Sequence, residues 1–228
     1  MEPIPVMRPV ARIRSEFPSK FGIPRQSGLV EALSADVVFE PEFRNPDALR
    51  GLEGFSHLWL IWVFTESVRE GWSPTVRPPR LGGNARVGVF ASRSPFRPNP
   101  IGLSSVRLAG VDLHTPDGPV LRVSGADLMD GTPILDIKPY LPQGDSHPDA
   151  SGGFTAVPRR TLEVEFPPEL LRTVPPEHRD ALLGVLAQDP RPSYQDDPAR
   201  VYRFEFGGVH VAFTVEDGVL RVREAASR

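Results

Sequence analysis

The 228-residue chain contains no cysteine, which excludes disulfides, thiolate metal sites and cysteine nucleophiles. No stretch approaches the ~20 consecutive apolar residues of a membrane span. The amino-terminal MEPIPVMRPVARIRS lacks an apolar h-region, so no secretory signal is expected and a cytoplasmic location is the default. No GxGxxG opens a helix after a strand, and no phosphate-binding GxxxxGK precedes a Ser or Thr. The nearest glycine cluster, Gly82 to Gly88, has the wrong spacing for a dinucleotide loop, which argues against a doubly wound, Rossmann-type cofactor domain. The five histidines, His57, His114, His147, His178 and His210, show no paired ligand spacing, so no metal is expected. A GxSxG nucleophile elbow is also missing. His57, beside an apolar run, reads as a packed and hydrogen-bonded residue rather than a base.

Two things are abundant. Proline occurs 27 times, well above its usual share of ~5%, which argues against long helices. Arginine is clustered. The net charge of −3 conceals seven arginines and one acid, Glu70, between Ser67 and Arg107, a local +6 that leaves −9 for the remainder. Within it, RPPRLGGNARVGVFASRSPFRPNPIGLS (Arg77 to Ser104) holds Arg77, Arg80, Arg86, Arg93 and Arg97 and no acid. Guanidinium groups on a proline-stiffened chain suit phosphate or carboxylate, whose geometry their fork matches. The apolar run Val87 to Ala91 suggests that these arginines are pinned at strand ends.

Hydrophobic patterning gives strands at Val6–Arg14, Ala35–Phe39, His57–Phe64, Arg86–Ser92, Ser104–Leu113, Val120–Gly125 and Ile134–Ile137. Of these, His57–Phe64 (HLWLIWVF) reads as fully buried. Asn45 and Pro46 mark the start of a short helix that ends at Gly51 or Gly54. Composition changes at Pro142 to Pro158, a Gly, Asp, Ser and Pro-rich linker. Beyond it come a strand at Thr161–Phe166, a helix at Glu177–Gln188 behind Pro175-Pro176, and a hairpin of Tyr202–Phe206 and Val209–Val215 across Gly207-Gly208. A third strand, Val219–Val222, follows Asp217-Gly218. The fold expected is mainly β. A barrel or sandwich over residues 1–142 would precede a linker at 143–160 and a small α+β unit at 161–228.

GADLMDGTPILDIKPYLP (Gly125 to Pro142) places Asp127, Asp130 and Asp136 within ten residues, with Gly131 and Pro133 shaping a turn. It reads either as Asx turns or as a carboxylate pocket for a cation or a proton. Tyr140 serves either to stack on a base or to anchor its loop.

KFGIPRQSGLV, RGLEGFSHLWLIWVF, the arginine-rich segment, DLMDGTPILDIKPYLP and AQDPRPSY occur in this order and cover nearly the whole chain. Together they resemble the bacterial TrmO (TsaA-like) family. These enzymes are S-adenosylmethionine-dependent methyltransferases acting on N6 of threonylcarbamoyladenosine, just 3′ of the tRNA anticodon. The resemblance implies a single-sheeted β-barrel with a small C-terminal domain, a homodimer, and S-adenosylmethionine held without a Rossmann domain. By motif, it implies cofactor contacts at Arg25, Gln26 and Ser27, at Thr65 and Glu66, at Arg93 and Leu103, and at Asp127, Leu128, Met129 and Asp130. Thr65-Glu66 stands where some relatives carry His-Gln, which points to backbone contacts there. The acceptor N6 is flanked by a carbonyl, so a carboxylate that removes its proton would assist; Asp130 or Asp127 is the candidate. Arg77, Arg80, Arg86 and Arg97 would divide the threonyl carboxylate and the phosphates, and Tyr140 would stack on an unstacked base. Two other classes are compatible with the residues: a non-catalytic RNA-binding module, and a methyltransferase of this fold acting on a small molecule.

Overall fold

The computed structural model describes residues 6–82, 85–156, 161–192, 195 and 197–227. The last four linker residues (157–160), the end of the AQDPRPSY motif (193–194) and residues 1–5 of the amino-terminal reading lie outside them. In chain order the first strands are β1 (Ala11–Arg14), β2 (Ser34–Phe39), β3 (His57–Val63), β4 (Thr75–Val76), β5 (Val87–Gly88), β6 (Ile101–Thr115), β7 (Gly118–Ser124) and β8 (Pro133–Pro139). Six of them close an antiparallel barrel in the order β1-β2-β7-β6-β3-β8. Closure leaves no edge in the ring, and β8 returns to β1 through Ala11 opposite Ile134.

A barrel strand has one face inward, and the sequence obeys that period of two. On β3, Leu58, Leu60 and Trp62 are buried while the residues between them face outward. The run HLWLIWVF is therefore half-buried rather than fully buried as the sequence suggests, and His57 is exposed, its Nδ1 2.9 Å from Ser56 Oγ. The strand expected at Arg86–Ser92 is also corrected. Only Val87–Gly88 pairs, with Thr75–Val76 outside the barrel, and Val89–Ala91 turns as a 3-10 helix. Arg77 and Arg86 accordingly abut the ends of β4 and β5 as expected, whereas Arg80 stands on a 3-10 turn and Arg93 and Arg97 on a loop. Between β2 and β3, Asn45 caps as expected, its Oδ1 accepting the Asp47 N–H at 3.0 Å, but the turn it opens, Pro46–Leu49, is 3-10.

After the barrel come α1 (Pro142–Asp145), β9 (Glu163–Glu165), α2 (Pro168–Leu171), α3 (Pro176–Ala187), β10 (Tyr202–Phe206), β11 (Val209–Glu216) and β12 (Val219–Ser227). The first linker residues are thus ordered as α1, and Asp145 accepts both the Leu141 N–H and the Trp59 indole N–H. The later strands form one sheet, β10-β11-β12-β9, with only the β12–β9 pair parallel. Its hairpins turn through Gly207-Gly208 (φ 55° and 75°) and Asp217-Gly218 (φ 50° and 81°), the positive-φ pairs that a two-residue turn demands. On α3, Ala181, Leu182, Val185 and Leu186 are buried against this sheet.

One feature of the packing is non-local. Phe17, Val30 and Leu33, from the segment between β1 and β2, lie in the core of the C-terminal sheet and not in the barrel core. Phe17 meets Phe206 edge-on at 5.2 Å, and the Gly207 N–H donates to the Glu16 carbonyl at 2.9 Å. Contact is so close at α3 that a Cβ on Gly184 would lie 2.6 Å from Val30 Cγ1.

Candidate active site

At one end of the barrel a cavity of about 780 Å³ opens between four pieces of chain: the Pro24-Arg25-Gln26 loop, the turn after β3, the proline-rich approach to β6, and Asp127–Met129. Each piece has a local cause. The β3 strand stops at Val63, where the Phe64 N–H turns to the Pro100 carbonyl, and Thr65–Ser67 continue as a 3-10 turn. Pro95, Pro98 and Pro100 stiffen the opposite wall, and Arg97 Nη1 ties it down by donating to the Ser92 carbonyl at 3.1 Å. The Pro24-Arg25-Gln26 loop is drawn to the floor by Gly28, whose N–H donates to the Gly125 carbonyl at 2.9 Å. Gly125 has φ +74°, and a Cβ there would lie 3.3 Å from Gly28, so a glycine suits both the dihedral and the close approach.

Asp127 forms part of the floor. Its Oδ1 accepts the Ser104 hydroxyl at 2.5 Å, and Ser104 Oγ accepts the Trp62 indole N–H at 2.9 Å. An indole N–H is only ever a donor, so Ser104 accepts there and its single proton points at Asp127. Proton demand thus falls on the other carboxylate oxygen. Burial pushes the Asp127 carboxyl above the ordinary aspartate value, while the Ser104 hydroxyl, its own backbone N–H, the Ser27 backbone N–H and the charge of Arg93 pull the other way. A carboxyl raised in this manner is a better base near neutral pH than a solvated one.

Arg25 is partly withdrawn from water. Burial lowers its guanidinium from the usual value, opposed by Asp189 and reinforced by the like charge of Arg80; an arginine remains protonated nonetheless. It donates through Nη2 to the Arg191 carbonyl at 3.2 Å. Arg191 in turn is clamped by two hydrogen bonds to Asp189, at 2.8 and 3.0 Å. Gln26 accepts from Arg93 Nη1, which links two opposite walls.

Of the residues singled out from sequence, Arg25, Gln26, Thr65, Glu66, Arg93, Leu103, Asp127 and Met129 line this cavity, as does Arg97. Ser27 approaches through its backbone N–H toward Asp127. Leu128 is fully buried in the barrel core. Asp130 is exposed and turned away: its Oδ1 accepts the Ser15 N–H at 3.0 Å and its own N–H donates to the Phe17 carbonyl. Asp136 is ion-paired with Lys138 at 2.8 Å. The three aspartates therefore form no common carboxylate pocket, and Asp127 alone faces the cavity. Tyr140 packs beside Trp59 and His57, 5.7 and 6.2 Å between ring centroids, and lines neither this cavity nor the groove next to it.

That groove is open, about 1730 Å³, and shares Arg25, Gln26, Phe90, Arg93 and Arg97 with the cavity. Arg69, Arg77, Arg80 and Arg86 add to its walls, against a single acid, Glu70, among the described residues. Arg86 donates to Thr75 Oγ1 at 3.0 Å and Arg80 to the Thr155 carbonyl at 2.8 Å. Sequence reading missed Ser104, Trp62, Trp72 and Phe90. Ser104 gave no sign because its role depends on a partner 23 residues away. Trp72 and Phe90 could have been noticed as large aromatics inside the arginine cluster.

Comparison with known proteins follows the same outline. Residues 12–146 match the model of the tRNA-methyltransferase O N-terminal domain, and residues 159–227 that of the TrmO C-terminal domain. The tRNA (adenine(37)-N6)-methyltransferase of Escherichia coli K12 is 45% identical over 219 residues, covering 92% of this chain and 93% of its own length. The enzyme of that name from Eikenella corrodens is 52% identical over 166 residues, covering 72% and 93%. A crystal structure of TrmO from Pseudomonas aeruginosa superposes with a TM-score of 0.80 at 33% identity, covering 99% of both chains.

Proposed function

The chain belongs to the tRNA-methyltransferase O family, and from that premise we propose that it methylates N6 of adenosine 37 in tRNA with S-adenosylmethionine as donor. Further, we infer that the acceptor carries a threonylcarbamoyl group, as the sequence resemblance implies. The observation that carries this reading is a half-buried carboxylate in a cavity continuous with an arginine-walled groove.

The residues present suit the donor. A cavity of about 780 Å³ lies within the ~300–1,000 Å³ of small-molecule sites. Its lining combines Lys20, Arg25 and Arg93 with Glu66 and Asp127 and with the apolar Phe64, Ile101 and Leu103. Such a mixture matches a zwitterionic nucleoside with a positive sulfur. When bound, S-adenosylmethionine supplies the methyl group, its sulfur leaving as a neutral thioether. Arg25, Gln26 and Arg93 would hold its amino-acid end, and Leu103 and Phe64 would offer it an apolar wall.

The N6 nitrogen gains a methyl group and loses a proton. Asp127 takes that proton on the carboxylate oxygen that Ser104 does not occupy, and returns it to solvent afterwards. Asp130 is not placed for the task. Arg97, which lines both cavity and groove, is the choice for the threonyl carboxylate. Arg77, Arg80 and Arg86, which line the groove alone, take the phosphates. The same reading includes a cytoplasmic homodimer, its oligomeric state testable by light scattering.

The test is a methylation assay with labelled S-adenosylmethionine and two anticodon stem-loops, one threonylcarbamoylated and one with plain adenosine. Incorporation into the modified loop alone is expected. Equal incorporation into both would remove the threonylcarbamoyl requirement. Donor binding without incorporation into either would point to a small-molecule acceptor, and RNA binding without donor binding to a non-catalytic module.

A further inference from the structure

We propose that Trp72 and Phe90 form a stacking platform for an unstacked RNA base adjoining the methyl acceptor. This rests on the tRNA reading above and names a subsite within it. Both rings lie open to solvent, Trp72 at 55% and Phe90 at 74% exposure, and neither belongs to either hydrophobic core. A single exposed ring would need no explanation, but the two adjoin each other, and a contiguous exposed apolar patch marks an interaction site.

The geometry is fixed by backbone. Thr75 pairs with Gly88 and Val76 with Val87, and the Val89 N–H donates to the Pro74 carbonyl at 2.9 Å. This short ribbon brings the residues just before β4 beside those just after β5, so the Trp72 and Phe90 rings stand 6.3 Å apart, tilted 34°. Phe96, nearby, is already covered by Arg69, whose guanidinium carbon lies 3.9 Å from the ring centre. Phe90 sits on the border of cavity and groove, lining both; Trp72 continues the surface into the groove.

The occupant follows from charge and from stacking. Among the described residues the groove places seven arginines against one acid. A second copy docked there isologously would oppose like charges, whereas a polyanion relieves them. For N6 to approach Asp127, the acceptor base must leave its stack. Its neighbour then loses a stacking partner, and an aromatic face replaces it in a sequence-tolerant way because every base has a π-face.

The test uses the full-length protein and the threonylcarbamoylated stem-loop, with wild type first shown to bind and methylate it. Trp72→Ala and Phe90→Ala are expected to weaken RNA binding about 5–150-fold each. Melting temperature should not change in either variant, and S-adenosylmethionine affinity should not change in Trp72→Ala, because Trp72 lines the groove and not the cavity. The slope of log Kd against log salt should also be unchanged, because no charge is removed. Phe90→Trp should restore affinity where Phe90→Leu does not. With 2-aminopurine replacing the neighbouring base, wild type should alter its fluorescence on binding and Trp72→Ala should lose that change. Wild-type RNA affinity and an unaltered 2-aminopurine response in both alanine variants would overturn the platform. So would a shift from dimer to monomer on either substitution, which would make the face a contact between copies. Failure of wild type to bind the RNA would instead overturn the tRNA reading itself and the platform with it.

Discussion

In its proposed role as base, Asp127 would serve chemistry at a cost in stability. Burial raises its pKa, so the folded chain holds that proton more tightly than the unfolded chain does. Its stabilising contribution is complete below the ordinary carboxylate range and is lost as pH rises through the raised value. At neutral pH the ionised group is a burden. Asp127→Asn is therefore expected to raise the melting temperature at pH 7, with the gain vanishing in acid below about pH 4, and to lower methyl transfer about 10²–10⁴-fold. Thermal scans at the two pH values, with single-turnover rates, check both halves. Ser104→Ala removes a donor that pulls the pKa down, so the acid limb of kcat/KM should move to higher pH; Ser104→Thr, which keeps the hydroxyl, should move it back. At this scale the sequence was half legible. The Asp-rich motif pointed to Asp127 and Asp130 together, but only folding shows that Asp130 caps the Ser15 backbone, and nothing local to Ser104 announces its bond to a residue on another piece of chain.

Among the elements, β6 and β3 carry the site, and their register at Trp62 opposite Gly102 explains why a glycine stands there. A Cβ on Gly102 would overlap the Trp62 indole. Gly102→Ala should destabilise the barrel by about 1–3 kcal/mol. It should also swing the indole off Ser104 and reproduce part of the pH shift of Ser104→Ala; denaturant titration and the pH profile test this. Elements with local causes were readable: the Gly207-Gly208 and Asp217-Gly218 turns, the helix behind Pro175-Pro176, and the alternating strands. The Arg86–Ser92 segment is a strand only at Val87–Gly88, because beyond those residues its apolar run has no second strand to pair with. Whether a run of β-formers becomes a strand depends on partners as much as on composition.

For the whole molecule the salient property is charge separation. A chain of net charge −3 places seven of its 24 arginines on one groove, so tRNA affinity should fall steeply with salt. Arg77→Ala should reduce the log–log slope by about 1, and a titration from low to high salt measures it. The closed strand order of the barrel and the lodging of Phe17, Val30 and Leu33 in the C-terminal core were not legible, because both are set by contacts between distant parts of the chain.

The lodging has a consequence in time. During synthesis the Pro24-Arg25-Gln26 loop leaves the ribosome early, yet the residues that seat its flanks, Leu182, Phe204, Phe206 and Phe213 among them, emerge near the end. Arg191, which receives the Arg25 guanidinium, is also late. A nascent chain that has already closed its barrel still lacks a seated loop where we propose that the donor binds. Competence to bind it should appear only when the last strands have folded, so that incomplete chains are silent toward tRNA methylation.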